Sequence, residues 1–212
     1  MWLSANAPVS SGSWTFCSSC AVKSVSSPFS RKIVGYEVHK EENGEQAATL
    51  LYRTVLREQC YRHPLVLHAD NGASMKSQTL KAKLEELGIM GSHSRPRVSN
   101  DNPYVESLFR TLKYIPSWPS SGAKDLDDAR RWVEGFSRGY NEKHRHGAIG
   151  YVTPAQRHQG KDVNLPAKRK ALYESARKAR PERWSMSCRQ WQRVEVVMLN
   201  PDKPETGLKS TA

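Results

Sequence analysis

The chain reads as an α/β protein whose sheet contains parallel strands. Three observations predict this. Short apolar runs alternate with amphipathic segments in the order strand, helix, strand, helix, strand between residues 31 and 93. The central run Leu65-Val-Leu67 is short, apolar and closed by the turn former Asp70-Asn-Gly72. A leucine ladder, Leu80, Leu84 and Leu87, ends at Gly88, the residue best suited to the left-handed position after a helix.

Taken in order, Arg31 to Val38 has strand-like composition around Gly35. Glu45 to Arg62 spaces Ala47, Ala48, Leu51, Val55 and Leu56 as one face of a helix. Leu65-Val-Leu67 is a buried strand, Ser77 to Leu87 a second helix, and Ile89 to His93 a short strand. Arg95 to Asn102 is a basic, polar loop in which Asn102 suits a helix cap and Pro103 the first helical position. The helix from Pro103 to Tyr114 separates Val105, Leu108 and Leu112 from a second stripe, Asn102, Glu106, Arg110 and Lys113. Asp125 to Glu142 is a helix with Asp125, Asp127 and Asp128 at its positive end. Thr153-Pro-Ala-Gln156 opens a short helix, residues 166–180 a basic helix, and Val194 to Leu199 a strand; the tail from Pro201 reads as disordered.

Residues 1–28 stand apart, being serine-rich, poor in charge and without a 2.0 or 3.6 period. They read as an irregular segment outside the domain. The domain itself is expected over 29–160, with a basic extension over 161–212.

Of 212 residues, 33 are Lys or Arg and 21 Asp or Glu, a net charge of +12. Residues 107–212 carry 21 of those basic side chains and 11 of the acidic ones. A basic C-terminal half points to a polyanion, nucleic acid first. Four cysteines make no disulfide framework in a chain of this length, and Cys17-Ser-Ser-Cys20 lacks the second ligand pair of a structural zinc site. No apolar run spans a bilayer, and residues 1–28 lack the build of a signal peptide, so a cytoplasmic location without membrane contact is expected.

Asp70 and Glu106 carry the chemistry. One follows a short strand, the other faces outward on a helix, and 35 residues separate them. Carboxylates so placed can converge on divalent metal for phosphodiester chemistry, and Mg²⁺ favours such oxygen ligands.

The contexts of this pair resemble a known family. His68-Ala-Asp-Asn-Gly72 and Ser94 to Tyr114 closely resemble bacterial insertion-sequence transposases with a retroviral-integrase-type core, of the OrfB type. Phe29-Ser-Arg-Lys-Ile-Val-Gly35, Tyr140-Asn141, His144-Arg-His146, Thr153-Pro154, Pro181-Glu-Arg-Trp184 and Leu199-Asn-Pro201 match as well. The resemblance implies a ribonuclease-H-like mixed sheet flanked by helices. It implies a triad of two Asp and one Glu, of which Asp70 matches the second Asp and Glu106 the Glu. It implies Mg²⁺, with Mn²⁺ able to substitute, and metal-dependent strand nicking followed by strand transfer. DNA, both element ends and target, is the implied partner, with a homo-oligomer as the active form and a separate DNA-recognition chain as a possible companion. The implied location is the nucleoid. Around the carboxylates, Asn71, Arg95, Arg97, Arg110 and Lys113 are the expected DNA contacts, Lys113 by the same resemblance.

The departure is the first Asp. The family carries it on the first strand, but residues 1–69 here contain none. The first strands are therefore expected to be missing, as after a frameshift, rearrangement or misplaced start, leaving an exposed inner sheet edge. The expectation is a transposase core impaired in catalysis. The alternatives are a DNA-binding remnant without catalysis and a metal-dependent nuclease of the same fold.

Overall fold

A computed structural model describes residues 2–6, 21–95, 103–117, 122–187 and 191–197. Five strands form one mixed sheet: β1 (Trp2–Asn6), β2 (Ala21–Ser26), β3 (Ile33–His39), β4 (Leu65–Ala69) and β5 (Ile89–His93). Their order across the sheet is β3-β2-β1-β4-β5. β1 runs antiparallel to β2 and parallel to β4, with Trp2 opposite Val66 and Ala5 opposite Ala69. β4 and β5 are parallel, Leu65 facing Ile89 and Ala69 facing His93. The expected mixed sheet flanked by helices is present.

The expectation that the first strands are missing is corrected. Trp2–Asn6 is the central strand and Ala21–Ser26 is paired on both sides, so the sheet edges are β3 and β5. Serine-rich composition concealed β2. Its Ser24 and Ser26 are buried, which a small hydroxyl tolerates once the backbone is paired in a ladder. Residues 7–20 lie outside the described residues, and so do both members of the Cys17/Cys20 pair.

Helix α1 (Gly44–Arg57) connects β3 to β4, and α2 (Gln78–Glu86) connects β4 to β5. Asn43 caps α1 by accepting from the Gln46 N–H at 2.8 Å, and Ser77 caps α2 by accepting from Leu80 at 3.2 Å; such caps are worth about 1 kcal/mol each. Both helices pack one face of the sheet around Val25, Val34, Leu51, Val55, Leu67, Leu80 and Ile89. α1 ends five residues before the expected Arg62. Glu58 terminates it, Gln59 turns to φ 51°, and the backbone then buries Cys60 while leaving Tyr61 and Arg62 exposed.

A bulge in β3 explains how α1 sits so close. Val25 pairs with Gly35 and Ser26 with Ile33, so Val34 is the extra residue. Val34 and Gly35 consequently both serve the α1 side, and a Cβ at Gly35 would overlap the Thr54 hydroxyl. Only glycine permits that approach.

A second pair of clusters holds α3 (Pro103–Tyr114) and α4 (Leu126–Glu142). Leu108 and Leu112 meet Ile33, Phe136 and Tyr140, while Ala129 and Val133 meet Val38. Asn141 clips the start of β3 to the end of α4, accepting from the Ile33 N–H and donating to its carbonyl, both at 2.9 Å. Thr153 and Gln156 form a reciprocal capping box at the start of α5 (Pro154–His158). The basic helix is α6 (Leu165–Ala179). The strand expected from Val194 is not formed over the described residues 191–197. That segment lies along the body with the Val194 carbonyl accepting from the Arg157 guanidinium, not from a neighbouring strand. Residues 198–212, including the expected disordered tail, lie outside the described residues.

Candidate active site

Asp70 follows the buried end of β4, where the backbone leaves the sheet. Its Oδ1 accepts from the Gly72 N–H at 3.1 Å, the Asx turn that Asp-Asn-Gly chemistry favours. The turn is stapled to the end of β5. Asn71 Nδ2 donates to the Ser94 carbonyl at 2.8 Å, Ser94 N–H donates to the Ala69 carbonyl at 3.0 Å, and the His93 ring lies 3.2 Å from the Asp70 carbonyl. Behind it, buried His68 meets the Ser92 hydroxyl at 3.1 Å.

A buried cation lies beneath this loop. Lys23 on β2 is 1% exposed and donates to the Asn43 carbonyl at 3.2 Å and towards Glu42 Oε1 at 3.5 Å. The same Glu42 oxygen accepts from the Ser74 hydroxyl, so the loop after Asp70 is tied to β2 through one carboxylate. Burial pushes the Lys23 ammonium below its ordinary range, against the pull of Glu42, Asp70 and Glu37. Lys23 was not among the residues expected at the site. Its signal was a lysine between Val22 and Val25 in an otherwise uncharged stretch.

Glu106 occupies the first turn of α3, whose Val105, Leu108 and Leu112 are buried as the periodicity predicts. Glu106, Arg110 and Lys113 lie on the exposed stripe. Partial desolvation raises the Glu106 carboxyl above the usual carboxylate range. Arg110 and Lys113 share its stripe, and the Lys113 ammonium sits 5.6 Å from the Tyr114 ring. α3 packs against the central strand β1, which also neighbours β4. Asp70 thus lies just past a strand that pairs with β1, and Glu106 on a helix that packs against it. One step beyond the last paired residues of β1 and β4, Ala5 and Ala69, come Asn6 and Asp70.

The start of α3 is held by a contact between two segments far apart in the chain, around Arg31 and Tyr104. Arg31, at φ 64°, stacks its guanidinium 4.1 Å above the Tyr104 ring. Burial pushes the Tyr140 hydroxyl up to about 12, with Arg31 opposing. Burial, then Arg31 and His144, lower the His146 ring to about 4, so it is neutral at physiological pH. His146 Nδ1 accepts from the Ala148 N–H at 3.2 Å, a structural role. The Arg31 contact needs the left-handed turn at that residue, which no local pattern announces.

Of the remaining expected contacts, Asn71 and Arg95 are exposed beside the Asp70 turn, and Arg97 lies outside the described residues. Glu37 on β3 is engaged by Arg53 at 2.9 Å and His39 at 2.8 Å. Among the described residues no three His, Cys, Asp or Glu side chains group as a metal site. Asp70 and Glu106 supply the oxygen donors a hard divalent cation takes, but two carboxylates are fewer than a paired-metal site uses.

Residues 87–154, the span from the end of α2 through α3 to the start of α5, match the family model described as integrase core domain. The chain is 28% identical over 133 residues to the transposase for insertion sequence element IS904 of Lactococcus lactis, covering 59% of this chain and 49% of that protein. It is 30% identical over 95 residues to a putative transposase InsD for insertion element IS2E of Escherichia coli, covering 44% and 42% respectively. The chain is thus similar to insertion-sequence transposases and matches an integrase core domain over residues 87–154. It spans about half the length of these curated relatives. The chain also shares its fold with the catalytic core domain of BIV integrase, at a TM-score of 0.56 and 18% identity over 77% of this chain and 97% of that one. A simian T-cell lymphotropic virus intasome structure is similar at a TM-score of 0.53 and 16% identity, covering 74% and 53%. These likenesses establish the ribonuclease-H-like fold. No helix among the described residues is long and apolar enough to cross a membrane.

Proposed function

We propose that this chain is a DNA transposition core in which Asp70 and Glu106 bind Mg²⁺ or Mn²⁺ for phosphodiester hydrolysis and strand transfer, with catalysis impaired by the absence of a third carboxylate. The observation that carries the reading is the placement of the two carboxylates, Asp70 just past the end of β4, which pairs with the central strand β1, and Glu106 on α3, which packs against that same strand. Bound metal would supply Lewis-acid activation of water or a 3′-hydroxyl. The protein's own part is to fix the Asp70 turn through Asn71, Ser94 and His93, and to hold α3 through Arg31 and Tyr104. Arg95, Arg97, Arg110 and Lys113 would hold phosphates, with Asn71 presenting the loop. The proposal extends to a homo-oligomer acting on element ends and target DNA at the nucleoid, with a separate DNA-recognition chain as a further partner.

A second reading, DNA binding without catalysis, is favoured by Asn6 standing where β1 comes alongside Asp70, and by the Asp-free first 69 residues. A nuclease of the same fold is the third. Nicking and joining of supercoiled DNA with Mg²⁺ or Mn²⁺ separates them. Nicking with strand joining, abolished by Asp70→Asn and by Glu106→Gln, supports the transposition core. Nicking without joining supports the nuclease, and salt-sensitive binding without cleavage supports the remnant.

A further inference from the structure

Helix α6 is unusual in having no buried residue over its 15 positions. It is nevertheless fixed to the body along one side. Arg169 donates to the carbonyls of Gly150 and Tyr151, and Tyr173 packs edge-on against Trp191 and Trp184, at 5.2 Å and 5.8 Å between ring centres. Arg169 and Tyr173 are one helical turn apart, so they define an anchored face. Lys170, Arg177 and Lys178 lie on another flank, and all three are exposed. With the segment from Trp191 to Arg193 this flank encloses an open groove of about 1040 Å³. Lys170 lies 3.8 Å from Glu174, the one carboxylate on the helix, while Arg177 and Lys178 enter no ion pair among the described residues.

We infer that this flank of α6 is a second docking surface for duplex DNA, gripping the phosphate backbone outside the Asp70–Glu106 site. The inference rests on the DNA-acting role proposed above. Charge complementarity identifies the occupant: Lys170, Arg177 and Lys178 form a fixed row about 12 Å long at ~1.5 Å rise per residue, on a helix pinned to the catalytic body. A single strand is a poorer fit, because the nearby rings of Tyr173, Trp184 and Trp191 are packed on one another and Trp191 is buried, leaving no platform for base stacking. A lipid surface is a poorer fit still. An interfacial helix needs a broad apolar face, whereas the exposed large apolar side chains of α6 are Leu172 and the ring of Tyr173, which is packed on Trp184 and Trp191.

The test uses the full chain and a 30-base-pair duplex, with binding followed by fluorescence anisotropy from 100 to 300 mM NaCl. The variant Lys170→Gln, Arg177→Gln, Lys178→Gln is compared with a charge-matched control, Lys40→Gln, Arg62→Gln, Lys81→Gln. The α6 variant should bind about 10- to 100-fold more weakly at 150 mM, and its log–log salt slope should be shallower by roughly 2–3, as three lost phosphate contacts require. The control should stay near wild type. Equal binding by the α6 variant overturns the inference, as does an equal loss in the control. A surface serving vesicles of phosphatidylglycerol and phosphatidylcholine instead of duplex DNA also overturns it. The nicking assay keeps the two readings apart: α6-dependent binding without metal-dependent cleavage sinks the catalytic proposal alone, and cleavage with α6-independent binding sinks this one alone. Circular dichroism of each variant checks that the fold is intact.

Discussion

Arg157 Nη1 and Asp162 Oδ2 meet at 2.6 Å, with both side chains only 2% exposed. The pair is the hub of the C-terminal packing. Arg157 also stacks on the Phe29 ring at 4.3 Å and donates to the Val194 carbonyl, while Asp162 accepts from Arg193 at 3.0 Å. The segment around Val194 is thereby strapped to the loop that precedes β3.

Removing one member of this pair should cost more than removing both. Asp162→Ala strands the Arg157 guanidinium in a dry site and is expected to cost about 3–5 kcal/mol. Arg157→Met with Asp162→Leu removes both charges and should recover most of that loss. Urea unfolding of the single and double variants checks the order; a double variant as unstable as the single would contradict it.

An asymmetric result is expected at Lys23 and Glu42. Glu42 is 26% exposed and can turn to water, whereas Lys23 is 1% exposed and cannot. Lys23→Met therefore should change stability by no more than about 1 kcal/mol, since a similar volume replaces a desolvated charge. Glu42→Gln should cost about 3 kcal/mol by leaving the ammonium without its counter-charge. Thermal melts of the two variants at matched pH compare them directly.

Acid should loosen α5 from the end of α1. Glu58 accepts from His158 at 2.9 Å and from Lys32 at 3.0 Å, and the far ring nitrogen of His158 lies 3.0 Å from the Ser30 hydroxyl. Burial alone would raise the Glu58 carboxyl, but the hydrogen bonds and charges of His158 and Lys32 prevail and hold it at about 2. A carboxylate depressed in the folded state stabilises fully above its unfolded pKa, and that contribution is lost as pH falls through the folded value. The loss should fall between about pH 4.5 and 2, and Glu58→Gln should abolish that part of the profile. Chemical unfolding across this window gives the measurement.

Asn6→Asp is the substitution most apt to raise metal affinity. It adds a carboxylate where β1 comes alongside Asp70, at an almost unchanged side-chain volume. Calorimetric titration with Mn²⁺ should show at least a tenfold gain in affinity, and metal-dependent nicking should rise with it. An unchanged titration would mean that the amide position does not face the carboxylate pair.

Much of this fold was legible because its signals are local. Leu80, Leu84 and Gly88 mark α2 and its end, Pro103 and the Val105-Leu108-Leu112 stripe mark α3, and Thr153-Pro154 marks α5. Asp70 and Glu106 were found because each is embedded in its own distinctive context. β1 and β2 escaped notice because pairing from both sides, not apolar alternation, makes strands of Ser24 and Ser26. The expected strand at Val194 failed for the complementary reason: β-prone residues stay irregular where their backbone finds a guanidinium and no neighbouring strand. Arg31, Lys23 and the Glu58–His158–Ser30 clip join residues far apart in the chain, so no window of sequence contains them.

The place of β1 has a kinetic consequence. β2 and β3 can zip early as near neighbours, and β4 and β5 lie only one helix apart, yet the two halves touch edge to edge only through five residues at the beginning of the chain. Register between Ala5 and Ala69 closes a loop of more than sixty residues, the slowest kind of contact for a polypeptide to find. The strand that docks last is therefore the central one, and until it does, two open sheet edges wait for whatever strand arrives.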